Sequence, residues 1–539
     1  MGKLIYEHET LYDAIIIGAG FSGIQQLHYL KNKLGMKVLL LEAADGVGGT
    51  WYFNRYPGAR CDSESHSYCY YFSDDLLKKW RWSERYPAQK EILDYLNFVT
   101  DYLNLRPNIT FGSTVLELCY DADEKKWRTI TETQEVFKSQ FVISAVGCLS
   151  ATNFPDFVGT RDFKGETYHT GSWPHHEISF EGKNVGVVGT GSSGIQAIPV
   201  IAKTATNLIV FQRTPNFSVP ARNKELEENF FSDFKKNIDK YRSQMLIARH
   251  GHPWLAPNTS AASTPKCKRE QVLETAWKIG GLRFRESFGD TLTNHESNKI
   301  ISEFIKKKIL QVVANEEKAK ILTNFDHPFG TKRPALDTEY YETFNKENVT
   351  LVDIREEPIE KITFGGIKTS KSDYKLNTIV FATGYDALTG SILKINIKGR
   401  NGINLADIWK NGPKTYLGLQ VHGFPNLFFI TGPGSPSVLT NMPQAIDQNV
   451  SWITTCIAVM NSKKMSTIEA DEQAMNRWTK EVQDAVSRTL FLEANHSWYL
   501  GANIPGKPRV FIPYVGGLNK YRDVCDKSAE NNYEGFTLA

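Results

Sequence analysis

Cysteine is scarce in this chain and never closely paired. Seven occur in 539 residues: Cys61, Cys69, Cys119, Cys148, Cys267, Cys456 and Cys525. The odd number and the lack of any CxxC disfavour both a disulfide framework and a zinc site, so no metal is expected and a reduced, cytoplasmic protein is. Long apolar runs are missing too; nothing approaches the roughly 18 residues of a membrane helix. The N-terminus MGKLIYEHET has no signal-peptide core, and Tyr6 stands where myristoylation at Gly2 requires Ser or Thr. Charge of one sign is not in excess. Lys+Arg number 63 and Asp+Glu 60, a net +3, and the basic runs, such as KKWRW, are short and mixed. Neither nucleic acid nor a membrane surface is therefore an expected partner.

Glycine, by contrast, is plentiful and placed in pattern. DAIIIGAGFSGIQQLHYLKNKLGMKVLLLEA reads as strand, glycine turn, helix, strand. Gly18 permits the tight turn, Gly20 lets the backbone approach a pyrophosphate, and Gly23 lets helix and strand pack closely. The helix N-terminus suits phosphate. Glu42 closes the second strand, 19 residues past Gly23, where it can accept from both ribose hydroxyls. The pattern recurs in NVGVVGTGSSGIQAIPVIAKTATNLIVFQRTPNF, with Gly189, Gly191 and Gly194. Here the second strand ends in Gln212-Arg213-Thr214, and no Asp or Glu occurs from residue 182 to 224. An acidic residue would repel a 2′-phosphate, whereas Arg213 can pair with one in a two-pronged contact. The first fold thus suits FAD and the second NADPH, and hydride transfer from nicotinamide to flavin is the traffic they imply.

The length exceeds one core and allows two to four units of about 100–200 residues. The fold class expected is α/β, with two Rossmann-like dinucleotide-binding domains. A FAD domain occupies 1–148 and returns at 386–539. An NADPH domain occupies 149–223 and returns at 330–385. Residues 224–329 form a helical insertion in the NADPH domain, poor in glycine, with Ile300, Ile301, Phe304, Ile305 and Ile309 on one face. NTIVFATGYDALTG (377–390) reads as a strand bringing the chain back beside a flavin.

Two further stretches narrow the chemistry. FKGETYHTGSWPH carries Phe163, Gly165, His169, Thr170, Trp173 and Pro174. This matches the FxGxxxHTxxWP signature, and the chain resembles the type I Baeyer–Villiger monooxygenases over essentially its whole length. GGTWYFNRYPGARCD (48–62) matches the family's second signature, GGxWxxxxYPGxxxD, at Gly48, Gly49, Trp51, Tyr56, Pro57, Gly58 and Asp62. The resemblance is closest to the branch that acts on phenylacetone, whose longer loop is kept here around Ser437, Val438 and Leu439. That loop favours aromatic or linear ketones over small rings.

The resemblance implies that NADPH reduces FAD and that O₂ adds to the flavin as a C4a-peroxide. This attacks a ketone, a carbon migrates, and an ester or lactone leaves; sulfides are further expected substrates. A fixed positive charge is needed beside the anionic peroxide, and removing such a donor costs about 10²–10³ in rate. The family's Lys-Arg pair falls on Lys332 and Arg333. Arginine suits the task because it stays charged when desolvated. Asp62 stands where the family sets a carboxylate against that arginine; it equally suits the N-cap of a helix beginning DSES. FAD contacts implied are Gly18, Gly20, Ser22, Gly23, Glu42, Gly49, Thr50, Trp51, Asp62, Tyr68, Val115 and Met442, with Trp51 and Tyr56 walling the flavin from water. NADP contacts implied are Arg60, Cys61, Gly189, Thr190, Gly191, Ser192, Ser193, Gly194, Gln196, Arg213, Thr214, Lys332, Arg333 and Trp498. His169 is expected to couple the linker to NADP movement and not to transfer protons. A monomer or weak homo-oligomer is expected.

Three rivals stay in view. A flavin N- or S-oxygenase would need no arginine beside the flavin. A disulfide reductase would need a close cysteine pair after the first glycine helix, and Cys61 and Cys69 are eight apart. A non-catalytic NADPH sensor could discard the charged residues this chain keeps.

Overall fold

The computed structural model describes residues 10–539; Gly2 and Tyr6 lie outside the described residues. Two sheets organise the chain. In the first, the order is Asn396–Lys398, Val115–Asp121, Lys126–Thr131, Val136–Ser144, Thr10–Ile17, Val38–Leu41, Ile109–Thr110. Thr10–Ile17 pairs in parallel with Val38–Leu41 and with Val136–Ser144. The latter runs antiparallel to Lys126–Thr131 through its first half, then takes Leu427–Phe429 in parallel along its second. Alternation sorts the side chains. Ala14, Ile16, Val38, Leu40, Phe141 and Ile143 enter one core; Ile15, Ile17, Leu39, Leu41 and Val142 enter the other. Both faces are covered where these strands are buried, so the segments Ala14–Ile17, Val38–Leu41 and Phe141–Ile143 are apolar.

The second sheet is parallel throughout: Val349–Asp353, Asn207–Gln212, Asn184–Val188, Thr378–Phe381, Glu166–His169. Val185, Val187, Leu208, Val210 and Val380 face one core; Val188, Ile209, Phe211, Ile379 and Phe381 face another. The strand Thr378–Phe381 belongs here, within the returning segment 330–385 of the second unit. The chain crosses back only after it, where Asp386 and Leu388 donate to the carbonyls of Ala151 and Cys148 at 2.8 Å each.

The helices of 224–329 form no body of their own. Phe234, Ile238 and Met245, from Glu228–Lys236 and Ile238–Ile247, join the first core. Leu273, Ile301, Ile305, Ile309 and Leu322, from the three helices that follow, join the second. The expected insertion into the second unit is thus divided between both. Its helical period was legible, but which core each apolar face meets is a tertiary matter.

No helix among the described residues is long and apolar enough to cross a membrane. The seven cysteines are free.

Candidate active site

Both glycine turns sit at the carboxyl ends of their strands, where open parallel sheets bind ligands. Gly18 has φ +104°, and a Cβ there would lie 2.6 Å from the Ala145 carbonyl oxygen. A Cβ on Gly23 would lie 1.8 Å from the Gly18 carbonyl oxygen, so the helix Phe21–His28 rests directly on the turn. Gly20 faces Gly49, whose own Cβ would fall 2.9 Å from the Gly20 Cα. The GGTWY stretch therefore lies against the turn itself. No side chain caps the helix N-terminus, which leaves first-turn N–H groups for an anion. Glu42 is buried; its Oε2 accepts from the Ala19 N–H at 2.5 Å and its Oε1 from Ala44 at 2.8 Å. Burial raises its pKa, and these bonds oppose the rise. Each oxygen keeps a lone pair for a hydroxyl. These residues fit a dinucleotide such as FAD. Nearby, Trp51 is buried and its Nε1 donates to Tyr68 Oη at 3.2 Å. Ser22 and Val115 are buried, Met442 opens the helix Met442–Lys463, and Thr50 is exposed.

The second turn repeats the geometry. Gly189 has φ +108° with its Cβ position 2.5 Å from the Ala382 carbonyl oxygen, and that of Gly194 is 2.3 Å from the Gly189 carbonyl oxygen. At Gly191 an added Cβ would meet nothing within 4 Å. The space ahead of the uncapped helix Ser192–Ile201 is open, which fits a second dinucleotide. Thr190 Oγ1 donates to the Thr214 carbonyl at 3.2 Å, and Ser193 Oγ meets Thr170 Oγ1 at 2.9 Å. Gln196 spans the two units: Tyr56 Oη donates to its Oε1 at 2.7 Å, and its Nε2 donates to the Arg60 carbonyl at 3.1 Å. Tyr56 belongs to the second core, so it is a strut between units, where the sequence suggested a wall of the first.

Arg213 is exposed just past its strand. Burial lowers the pKa of Lys332, as does Arg213 nearby, while Asp326 opposes them. Asp326 was not foreseen. It lies 3.9 Å from Lys332 Nζ and accepts from Thr214 Oγ1 at 3.4 Å. The hydrogen bond with His327 and the charge of Lys332, acting against burial, hold its pKa near 2. The lack of acid across residues 182–224 was a local property, and folding brings a carboxylate in from elsewhere. Two cations against one anion still leave the patch positive. Arg60 is committed to Glu84 (2.7 Å) and the Tyr86 carbonyl (2.8 Å). Cys61 is buried and its thiol pushed up by that burial.

Arg333 and Asp62 come together between the units. Arg333 Nη2 donates to Asp62 Oδ1 at 2.9 Å and Nε to Oδ2, while Nη1 donates to the Val438 carbonyl at 2.6 Å. Burial opposes the guanidinium charge, but Asp62 outweighs it and raises the pKa above the ordinary arginine value. Asp62 starts no helix; the DSES segment forms turns, so the capping role is not observed. The Val438 carbonyl was invisible to side-chain reasoning. It is presented by the short turn Ser437–Leu439, in which Ser437 has φ +44°. Trp498 packs half-buried against the cluster holding Val438, Leu439 and Phe491.

In the linker, Phe163 and Trp173 are buried, and Gly165 packs on Phe163. Pro174 follows, half-buried. His169 is 1% exposed. The Gly171 N–H donates to its Nδ1 at 3.0 Å, so Nε2 carries the proton and faces Thr383 Oγ1 at 3.2 Å. Burial lowers its pKa to about 4. A buried, neutral, two-bonded imidazole positions the linker and is poorly suited to proton transfer.

Residues 15–251 match a family described as pyridine nucleotide-disulphide oxidoreductase. A monooxygenase of Pseudomonas putida named for 2-oxo-Δ3-4,5,5-trimethylcyclopentenylacetyl-CoA is 40% identical over 98% of both chains. A Baeyer–Villiger monooxygenase of Pseudooceanicola batsensis is 39% identical over 97% of this chain and 95% of its own. A phenazine N-monooxygenase of Lysobacter antibioticus is 38% identical over 99% and 98%. Among solved structures, OTEMO in complex with FAD and NADP superposes with a TM-score of 0.95 at 40% identity, covering 98% of this chain and 99% of that one.

Proposed function

The chain belongs to the Baeyer–Villiger monooxygenases, FAD- and NADPH-dependent enzymes, and from that premise we propose how its own residues serve the reaction. A ketone, O₂, NADPH and a proton give an ester or lactone, NADP⁺ and water; one oxygen atom enters next to the carbonyl. FAD, once bound and reduced by NADPH, supplies the group that activates O₂.

The chain supplies position and charge. Gly18, Gly20, Gly23 and Glu42 hold FAD, with Gly49 closing over them. Gly189, Gly191 and Gly194 hold the NADPH pyrophosphate, and Arg213, Thr214 and Lys332 its 2′-phosphate. Arg333 keeps the oxygen donor anionic and accepts the charge that develops on the substrate carbonyl oxygen. Asp62 and the Val438 carbonyl fix the guanidinium plane. The observation that carries this reading is the three-bonded Arg333 at the junction of the GGTWY stretch and the 437–439 turn. Ketones in air with NADPH should give ester or lactone with matching NADPH consumption. NADPH oxidation without oxygenated product from any of a linear, aromatic and cyclic panel would end the ketone reading.

Sulfides are further substrates in this reading, the enzyme acts as a monomer or weak homo-oligomer, and seven free thiols support a cytoplasmic setting. A second reading, N-oxygenation, is favoured by the 38% identity to a phenazine N-monooxygenase. A nitrogen nucleophile needs no cation to keep the oxidant anionic. Offering a ketone and an aromatic amine side by side separates the two by product.

A further inference from the structure

A cavity of about 40 Å³ lies beside the loop that holds Arg333, and charge lines it. Leu439 and Thr440 form one wall, directly after the residue whose carbonyl accepts from Arg333. The lining also carries Arg249, His250, Arg285 and Glu286. Arg285 and Glu286 expose only 10% and 14% of their side chains. His252, buried with its Nδ1 unpartnered, sits within charge range of Arg333, His250 and Arg285, so cavity and active-site arginine share one electrostatic neighbourhood.

Buried charges cost several kcal/mol each unless paired, and here the pairing is incomplete. His250 Nε2 and Arg285 Nη2 both reach the same oxygen, Glu286 Oε1, at 3.3 Å each. The other ring nitrogen of His250 faces the Leu439 carbonyl at 3.0 Å, and His250 carries no negative charge in any state. Arg249, exposed at the edge of the cavity, donates from Nη2 to the Val515 carbonyl at 3.1 Å and keeps further donors for a ligand. Among the described residues, Arg285 hydrogen-bonds to its neighbour Glu286, at 3.3–3.4 Å. His250 and Arg285 thus share one carboxylate oxygen, and the Arg249 guanidinium lies within charge range of the same carboxylate. A water needs roughly 10–15 Å³ of such space; the cavity takes a functional group and not a whole ketone.

We propose that this cavity is a subsite for a carboxylate on the substrate, so that the ketones this chain takes are keto acids whose anionic end sits between Arg249 and Arg285. The inference rests on the ketone reading. A purely apolar ketone would leave the spare guanidinium donors to water, and would gain nothing from a wall that costs energy to bury.

The test uses the FAD holoenzyme and a matched pair: 2-oxocyclohexylacetate, and 2-isobutylcyclohexanone, in which an isopropyl group replaces the carboxylate. Expected is a kcat/KM at least about tenfold higher for the keto acid, as for one bidentate charged contact. Arg285→Met should collapse that preference about tenfold, and Glu286→Gln, which removes the internal competitor, should raise it. A merely structural role moves both variants the same way. A wild-type ratio of one or below, or a ratio unmoved by either variant, overturns the subsite. Lactone from 2-isobutylcyclohexanone reports the ketone chemistry separately. If neither ketone is oxygenated, that chemistry fails, and calorimetric titration of the NADP⁺-bound holoenzyme judges the subsite alone. Keto-acid binding lost in Arg285→Met upholds it, and no binding overturns it.

Discussion

Arg333 and Asp62 are 271 residues apart in sequence, yet they share two hydrogen bonds beside the Val438 carbonyl. A buried cation persists only with such partners, and removing it strands the carboxylate. Arg333→Ala should still be reduced by NADPH, while ester or lactone formation falls by about 10²–10³ or more. Stopped-flow flavin absorbance and product chromatography read the two steps apart; wild-type product from the variant would refute the role. Arg213 poses a different case, because the 2′-phosphate is bound equally in ground and transition states. Arg213→Ala should raise the NADPH KM about tenfold with kcat nearly unchanged, and a dominant kcat loss would remove it from the phosphate site. Asp326 tempers that patch, and nothing near Arg213 in the chain announced it.

The two glycine turns are the elements the sequence described best, because each is a run of a few residues whose constraints are local. They also allow a contrast within one motif. Gly23→Ala places a methyl 1.8 Å from the Gly18 carbonyl oxygen, so the helix must lift off the turn and the protein should purify with little FAD. Gly191→Ala places its methyl in open space. Its melting temperature should match the wild type within about 2 °C, while NADPH KM rises because the methyl occupies ligand space. Equal FAD content in Gly23→Ala, or a wild-type KM in Gly191→Ala, would contradict these assignments. The helices after residue 224 were legible as helices from their period, yet not in their docking, since an apolar stripe does not name the surface that covers it.

Polar links such as Tyr56–Gln196 and Arg333–Asp62 join the units, alongside the helices of 224–329 that pack into both cores. Its response to acid follows from histidines that folding keeps neutral. His169 has a folded pKa of about 4 against an ordinary 6.5, so the unfolded chain binds a proton that the native state refuses. Stability is full above about pH 6.5 and declines as pH falls toward 4, by about 1 kcal/mol near pH 5.5 from this residue. His169→Gln should flatten that part of the pH dependence of the urea midpoint. An unchanged slope would show that His169 titrates normally.

The sequence by itself determined two dinucleotide turns, the preference for phosphate at the second, and the residue types of an oxygenating site. Each rests on neighbours along the chain, whose spacing the backbone enforces. Only the tertiary structure decided that Asp326 comes to lie beside Lys332 and Thr214, that Val438 lends a carbonyl to Arg333, and that Arg249, Arg285 and Glu286 line a charged cavity next to the 437–439 turn. Charges and carbonyls act through space over a few ångströms, and distance in space is what folding creates.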